Sequence, residues 1–328
     1  MGKLLDAAKA LVSPLEKLID AVQDAVGIAY KPRNMRKLAD AKAYEIERIG
    51  QAIRENSDIP ILYSREDITM DTTDSQAFVK RTQNRLMFQE LIKQKNIEAV
   101  IDVAYSELEG QAAVANEPND PDWMINFFNS VEGISNDKMQ QLWGKLLAGE
   151  IKNPNSFSKR TLNVLKNLTQ REAGIFQKVS PLVLWCAGDR SKSFNDYFLP
   201  SDAFSRRNLL ETHSISFSEI LVLHEAGLIS ENSWISAGVI IQPGETEYIY
   251  GMREKIGISN SDSTEVQISW SAYILTEAGK ELLPIVLPEN ETINFNEYMQ
   301  DCLNYIKEVG GVTPETAKEK IEIKVMPN

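Results

Sequence analysis

The chain has 328 residues, a net charge of −12 and a hydrophobic share of 43%. This length suits two domains with an appended arm, and the hydrophobic share is that of an ordinary globular chain. The acidic balance excludes wrapping duplex DNA with the whole surface, but it leaves room for local basic patches.

The N-terminal arm opens the chain. Leu5, Ala8, Val12, Leu15, Ile19, Val22 and Val26 recur in steps of three and four, which places them on one stripe of a helix. Leu4, Leu11 and Leu18 widen the stripe. Ser13-Pro14 falls inside it as an N-cap followed by a proline at the first helical position. The pattern predicts a short helix over 3–12 and a second over 14–26. Three readings of this arm stand side by side: packing on the rest of the chain, self-association by helix bundling, and an interfacial membrane helix. The mixed charges of the polar face, Lys9, Glu16, Lys17, Asp20 and Asp24, weigh against the membrane reading.

Gly27 and Pro32 bracket a turn, and a helix is predicted over 33–55. From Lys31 to Arg54 seven basic residues face three acidic ones, a local excess opposed to the charge of the whole. Arg33, Arg36, Lys37, Lys42 and Arg48 form the candidate basic patch, able to meet lipid phosphate or nucleic acid. The plainer reading is a solvated helix face laced with charge pairs. Residues 59–73 read as an extended linker. Residues 76–110 read as mostly helical and carry a second basic cluster of Lys80, Arg81, Arg85, Lys93 and Lys95.

Pro118-Asn119-Asp120-Pro121 is a loop, and residues 122–128 begin a short aromatic helix. Ser135 is taken as the cap of an amphipathic helix over 136–151, with Met139, Leu142, Trp143, Leu146 and Leu147 on one face. Asn153-Pro154-Asn155 ends it, Ser158 caps the next helix, and Thr169 with Glu172 makes a capping box for another. Glu150 and Arg160 have the charges for an ion pair, and Gly149 offers a site for close helix packing. The segment Asp122-Trp123, Phe127-Phe128, Leu142-Trp143-Gly144-Lys145-Leu146-Leu147-Ala148-Gly149-Glu150-Ile151, Ser156-Phe157-Ser158 and Arg160-Thr161-Leu162 resembles uncharacterised bacterial proteins grouped as a domain of unknown function. That group is akin to the abortive-infection alpha proteins, which share a similar Trp, Leu-Ala-Gly-Glu and Ser-Arg-Thr pattern. The resemblance spans about 27–180 and thins beyond. It implies a bacterial cytoplasmic protein of phage defence. Its signature residues here are Trp143, Gly149, Glu150, Phe157, Ser158, Arg160 and Thr161, and it carries over no catalytic residue.

Further on, Ser216 or Ser218 caps a helix ending at Gly227. Strand-like runs follow at 236–241, 247–250 and 266–274, and Thr276 starts another helix. The order looks like a winged-helix module. Its recognition-like helix, 217–226, carries Glu219 and Glu225 and no Arg or Lys, which favours protein over DNA as its partner. An amphipathic helix over 295–309 and an alternating tail at 321–325, read as an edge strand, complete the chain.

Motifs for chemistry are missing from the sequence. His213 and His224 stand eleven residues apart, without metal-ligand spacing. Neither a G-x-G-x-x-G nor a Walker loop occurs, so no metal and no nucleotide or other cofactor is expected. Cys186 and Cys302 fit structural roles in a reducing compartment. No apolar run is long enough for a bilayer span, and the N-terminus lacks a secretory pattern. The expected fold is mainly α with a minor antiparallel β element: an arm over 1–57, a helical bundle over 58–180 and a winged-helix-like domain over 181–328. The expected function is non-enzymatic and anti-phage, of abortive-infection type. It works through homo-oligomerisation and contact with a protein partner or a membrane surface, in the cytoplasm or at the periphery of the inner membrane. The alternative is a nucleic-acid-binding regulator using basic helices 31–54 and 80–95. A hydrolase whose acids meet only in the fold is a third reading. No small-molecule substrate is expected.

Overall fold

The computed structural model describes residues 11–27, 75–186, 193–194, 197–200, 209–230, 236–288 and 294–328. The chain divides into two compact units, residues 1–162 and 163–328.

The first unit is helical. Helix α1 (Pro14–Val26) starts with Pro14 after the extended Ser13 and ends at Gly27, whose φ of 70° lets its N–H reach the Gln23 carbonyl. Just before it, strand β1 (Leu11–Val12) pairs antiparallel with β2 (Val114–Ala115). Leu11 and Val12 therefore belong to a strand and not to the helix expected over 3–12; the rest of that expectation lies outside the described residues. Helix α2 (Ser75–Leu108), with 34 residues, is the longest element among the described residues. Its second half is buried at Ile97, Val100, Ile101, Ala104 and Leu108. Helix α3 (Pro121–Val131) is capped by the Asp120 carboxylate, which accepts from the Asp122 N–H at 2.9 Å, with Pro121 at the first turn. Helix α4 (Asp137–Lys152) is capped by Asn136, whose side chain accepts from the Met139 N–H, and not by Ser135. An amide oxygen one residue later reaches the same orphan donors, so two adjacent cap-forming residues left the start ambiguous.

Helix α5 (Lys159–Asn167) follows. In the second unit, α6 (Gln170–Val179) has the expected capping box between Thr169 and Glu172. Helices α7 (Leu209–Thr212) and α8 (Phe217–Glu225) follow, the latter with a capping box between Ser216 and Glu219. Helix α9 (Glu277–Val286) is capped by Thr276, and α10 (Phe295–Val309) by Asn294.

This unit is organised by a nine-stranded sheet. Its strands are β3 (Leu184–Cys186), β4 (Ser193–Phe194), β5 (Tyr197–Pro200), β6 (Ser236–Ile241), β7 (Thr246–Tyr250), β8 (Glu254–Asn260), β9 (Val266–Ile274), β10 (Gly311–Thr313) and β11 (Ile321–Pro327). Neighbours run β11-β8-β7-β3-β5-β9-β6-β4, with β10 also on β9, and every pair is antiparallel. Ile249, Ile256, Ile258, Val266, Ile268 and Trp270 are buried. Helix α10 packs on β8 and β11 with Tyr298, Met299, Cys302 and Ile306 buried. The expectation of a mainly α chain with a minor β element is therefore overturned. Helices and a large antiparallel sheet share the molecule. The reason is physical: β3, β5, β8 and β10 are short or polar and take their strand character from neighbours distant in sequence, which local pattern does not report.

Candidate functional site

Three signature residues of the first unit, Gly149, Glu150 and Phe157, meet at the end of α4, while Trp143 packs at its middle. Trp143 is fully buried and meets the Phe127 ring edge-on at 5.4 Å, while Phe127 stacks on Trp123 at 5.3 Å. Glu150 is also fully buried. Its carboxylate accepts the backbone N–H groups of Asn155 at 2.7 Å and Phe157 at 3.2 Å. Its own carbonyl accepts from the Asn119 amide at 2.9 Å. Burial raises the carboxyl pKa, and the backbone donors oppose that rise. Asn155 takes a φ of 66°, so the loop after α4 turns back over the carboxylate. The expected ion pair between Glu150 and Arg160 gives way to this arrangement: backbone donors close the carboxylate and Arg160 is exposed. Ser158 serves as the cap of α5, accepting the Thr161 N–H at 3.2 Å, with the two hydroxyls 3.1 Å apart. Thr161 is fully buried and Phe157 nearly so.

The glycines divide the work differently from the sequence reading. A Cβ on Gly149 would come within 2.8 Å of the Phe157 ring, so Gly149 makes room for a loop side chain and not for a helix. The close helix approach is at Gly144, where a Cβ would lie 2.4 Å from the Val103 Cβ and 3.0 Å from the Val100 carbonyl oxygen of α2. Gly144→Ala should cost about 1–3 kcal/mol in denaturant unfolding, since only separation of α2 from α4 relieves the clash. Val103→Ala in the same chain should recover only part of that loss, because it removes Cγ1 and keeps Cβ. Full recovery, or no loss at all, would show that the two helices are not this close.

The arm supplies the open surface of this unit. Leu18 and Val22 of α1 are buried, and α1 packs against α2, α3 and α4. Val12, Leu15, Ile19 and Val26, the other described members of the predicted stripe, are half-buried. Lys17 is buried too: its ammonium donates to the Ala115 carbonyl at 3.3 Å, burial lowers its pKa, and the Glu150 charge opposes that lowering. Beside these lies a cleft of about 640 Å³ between α1 and the segment 116–125. Val12, Ile19, Met124 and Ile125 give it apolar walls, and Glu16, Asp20, Asp24 and Glu117 give it acidic ones. The remaining predicted positions, Leu5 of the stripe and Arg33, Arg36, Lys37, Lys42 and Arg48 of the basic patch, lie outside the described residues.

In the second unit the fold brings together groups that the sequence keeps apart. His213 Nε2 stands 3.0 Å from the Asp301 carboxylate, 88 residues away, and its ring meets Tyr298 edge-on at 5.0 Å. Tyr298 is fully buried and donates its hydroxyl to the Leu182 carbonyl, and the neighbouring Cys302 thiol is pushed far above its ordinary range by burial. Cys302 is fully enclosed and packs as a core group. The acidic helix α8 exposes Phe217 and Leu221, one turn apart. Among the described residues, no three His, Cys, Asp or Glu side chains gather as a metal site, and no helix is long and apolar enough to cross a membrane.

The model of a family of proteins of unknown function, DUF2806, matches residues 80–301. The chain belongs to that family. No curated protein matches it. No solved structure matches it either.

Proposed function

We propose that this chain is a non-enzymatic bacterial defence protein of abortive-infection type, which acts in the cytoplasm by self-assembly and by contact with a protein partner or the inner membrane surface. The observation that carries this reading is the divided use of α1. One side, at Leu18 and Val22, seals the first unit, while Leu15, Ile19 and Val26 remain half-buried and Ile19 lines an open cleft. The signature residues support it from the other direction. Trp143, Glu150, Ser158 and Thr161 are engaged in holding the core and the loop after α4, so contact surfaces are what the unit has to offer. The resemblance of the signature to that of abortive-infection proteins suggests the biological setting.

The test is the double variant Leu15→Asp/Ile19→Asp in the full chain. Light scattering should show an oligomer for the native chain and a smaller species for the variant. Near-UV circular dichroism should be unchanged, and plating efficiency of phage on cells carrying the variant should rise to that of cells without the protein. An oligomer mass and a phage sensitivity that do not move would overturn the reading.

A further inference from the structure

The first half of α2 is a surface of its own. Packing of this helix begins at Asn96, whereas residues 80–90 are exposed or half-buried throughout. Leu86, Met87 and Phe88 are 50%, 47% and 44% exposed, three consecutive large apolar side chains on a helix. Lys80, Arg81 and Arg85 stand beside them, and no acidic residue occurs in α2 before Glu90. Arg81, Arg85 and Phe88 follow at steps of four and three, hence on one stripe. An apolar patch of this kind with a charged border marks an interaction surface.

The cleft beside α1 is its complement. Glu16, Asp20 and Asp24 repeat at steps of four on α1, all three exposed, around apolar walls that include Ile19 and the 48% exposed Ile125. The Arg81–Arg85 step matches the Glu16–Asp20 and Asp20–Asp24 steps, each about 6 Å of helix rise. Both surfaces belong to the same unit, yet one copy cannot join them. Lys80 lies roughly 24 Å of continuous helix before Asn96, where α2 is locked into the core, and Leu86, Met87 and Phe88 are left exposed.

We propose that the first half of α2 in one copy docks into the α1 cleft of a second copy, with Met87 and Phe88 against Val12, Ile19 and Ile125, and Lys80, Arg81 and Arg85 facing Glu16, Asp20 and Asp24. The contact uses different surfaces on its two sides. It is therefore heterologous, and it builds either a closed ring or an open filament. This deepens the self-assembly reading above and rests on it.

The experiment is charge reversal in the full chain, read by sedimentation velocity. Lys80→Glu/Arg81→Glu/Arg85→Glu should disperse the assembly, and so should Glu16→Lys/Asp20→Lys/Asp24→Lys. The chain carrying all six changes should regain it. Raising the salt concentration should weaken the native assembly. All six residues are exposed, so melting temperatures should stay close to native, and the six-fold variant guards against misfolding as the cause of dispersal. A native oligomer that both reversals leave intact overturns the docking and spares the assembly reading. A native chain that stays monomeric at all concentrations overturns both. Binding of a single-stranded RNA or DNA probe that is lost on reversing Lys80, Arg81 and Arg85, with no change in mass, reassigns this helix to nucleic acid and overturns the docking.

Discussion

Trp143→Ala is expected to destabilise the first unit by about 3–5 kcal/mol, the range for deleting a fully enclosed large aromatic side chain. The indole sits at zero exposure and closes a cluster in which Phe127 touches Trp123, Phe128 and Trp143, with centroids 5.2–5.4 Å apart. Removing it leaves a cavity between α3 and α4, and the close contact of α4 with α2 at Gly144 limits how far α4 can move to fill it. Trp143→Phe should lose much less, since the edge-on contact with Phe127 can persist. Urea unfolding followed by far-UV circular dichroism measures both. A loss below about 1 kcal/mol for the alanine variant would mean that the site collapses freely and is not close-packed.

The second large effect is at Glu150. Glu150→Ala leaves the N–H groups of the exposed Asn155 and the buried Phe157 without their acceptors; the buried one is worth roughly 1–3 kcal/mol when unpaired and the other less, because water can reach it, and both are partly offset by the relief of a buried charge. A net loss of about 1–3 kcal/mol is expected. Glu150→Gln should lose less, because one oxygen acceptor survives. The pH dependence then separates charge from shape. The folded carboxyl pKa is raised by burial, so the proton is held more tightly in the folded state than in the unfolded one. The stabilisation from that proton is complete below the ordinary glutamate pKa and is lost as pH rises through the folded value. Lowering the pH from neutral into that window should therefore favour the native chain over Glu150→Gln. Melting curves of the two proteins at a series of pH values test this. Parallel pH profiles would show that the carboxyl titrates alike in both states.

Local signals were legible in the sequence wherever one turn of chain settles the matter. Ser13-Pro14 before α1 and Thr169 with Glu172 before α6 are short-range arrangements, and the structure has both starts; of the two serines offered before α8, Ser216 and Ser218, it is Ser216 that caps the helix, together with Glu219. The tail strand at 321–325 was also visible from its alternation, and it pairs with β8. What escaped was whatever depends on partners far away. β8 reads Glu-Lys-Ile-Gly-Ile-Ser-Asn, half polar and with a glycine, and is a strand because β7 and β11 flank it. The His213–Asp301 pair spans 88 residues, and the spacing that links the two exists only in space. Gly144 and Gly149 are indistinguishable as letters in one helix; only the distance to Val103 shows which of them permits two helices to touch. The charge of Glu150 suggested a cationic partner, whereas the loop after α4 supplies backbone donors that no composition count reveals.

The pairing of β11 with β8 also bears on synthesis. Residue 254 at one end of β8 pairs with residue 327, and α10 lies between the two strands in the chain. As the polypeptide leaves the ribosome, the outer edge of β8 stays uncovered while more than sixty further residues are made, and an open strand edge of this kind invites pairing with another nascent chain. Covering of the β8 edge is thus a late event in the synthesis of each molecule. Slowing translation downstream of residue 260 should lengthen the interval in which new chains can cross-pair at β8 before β11 covers it.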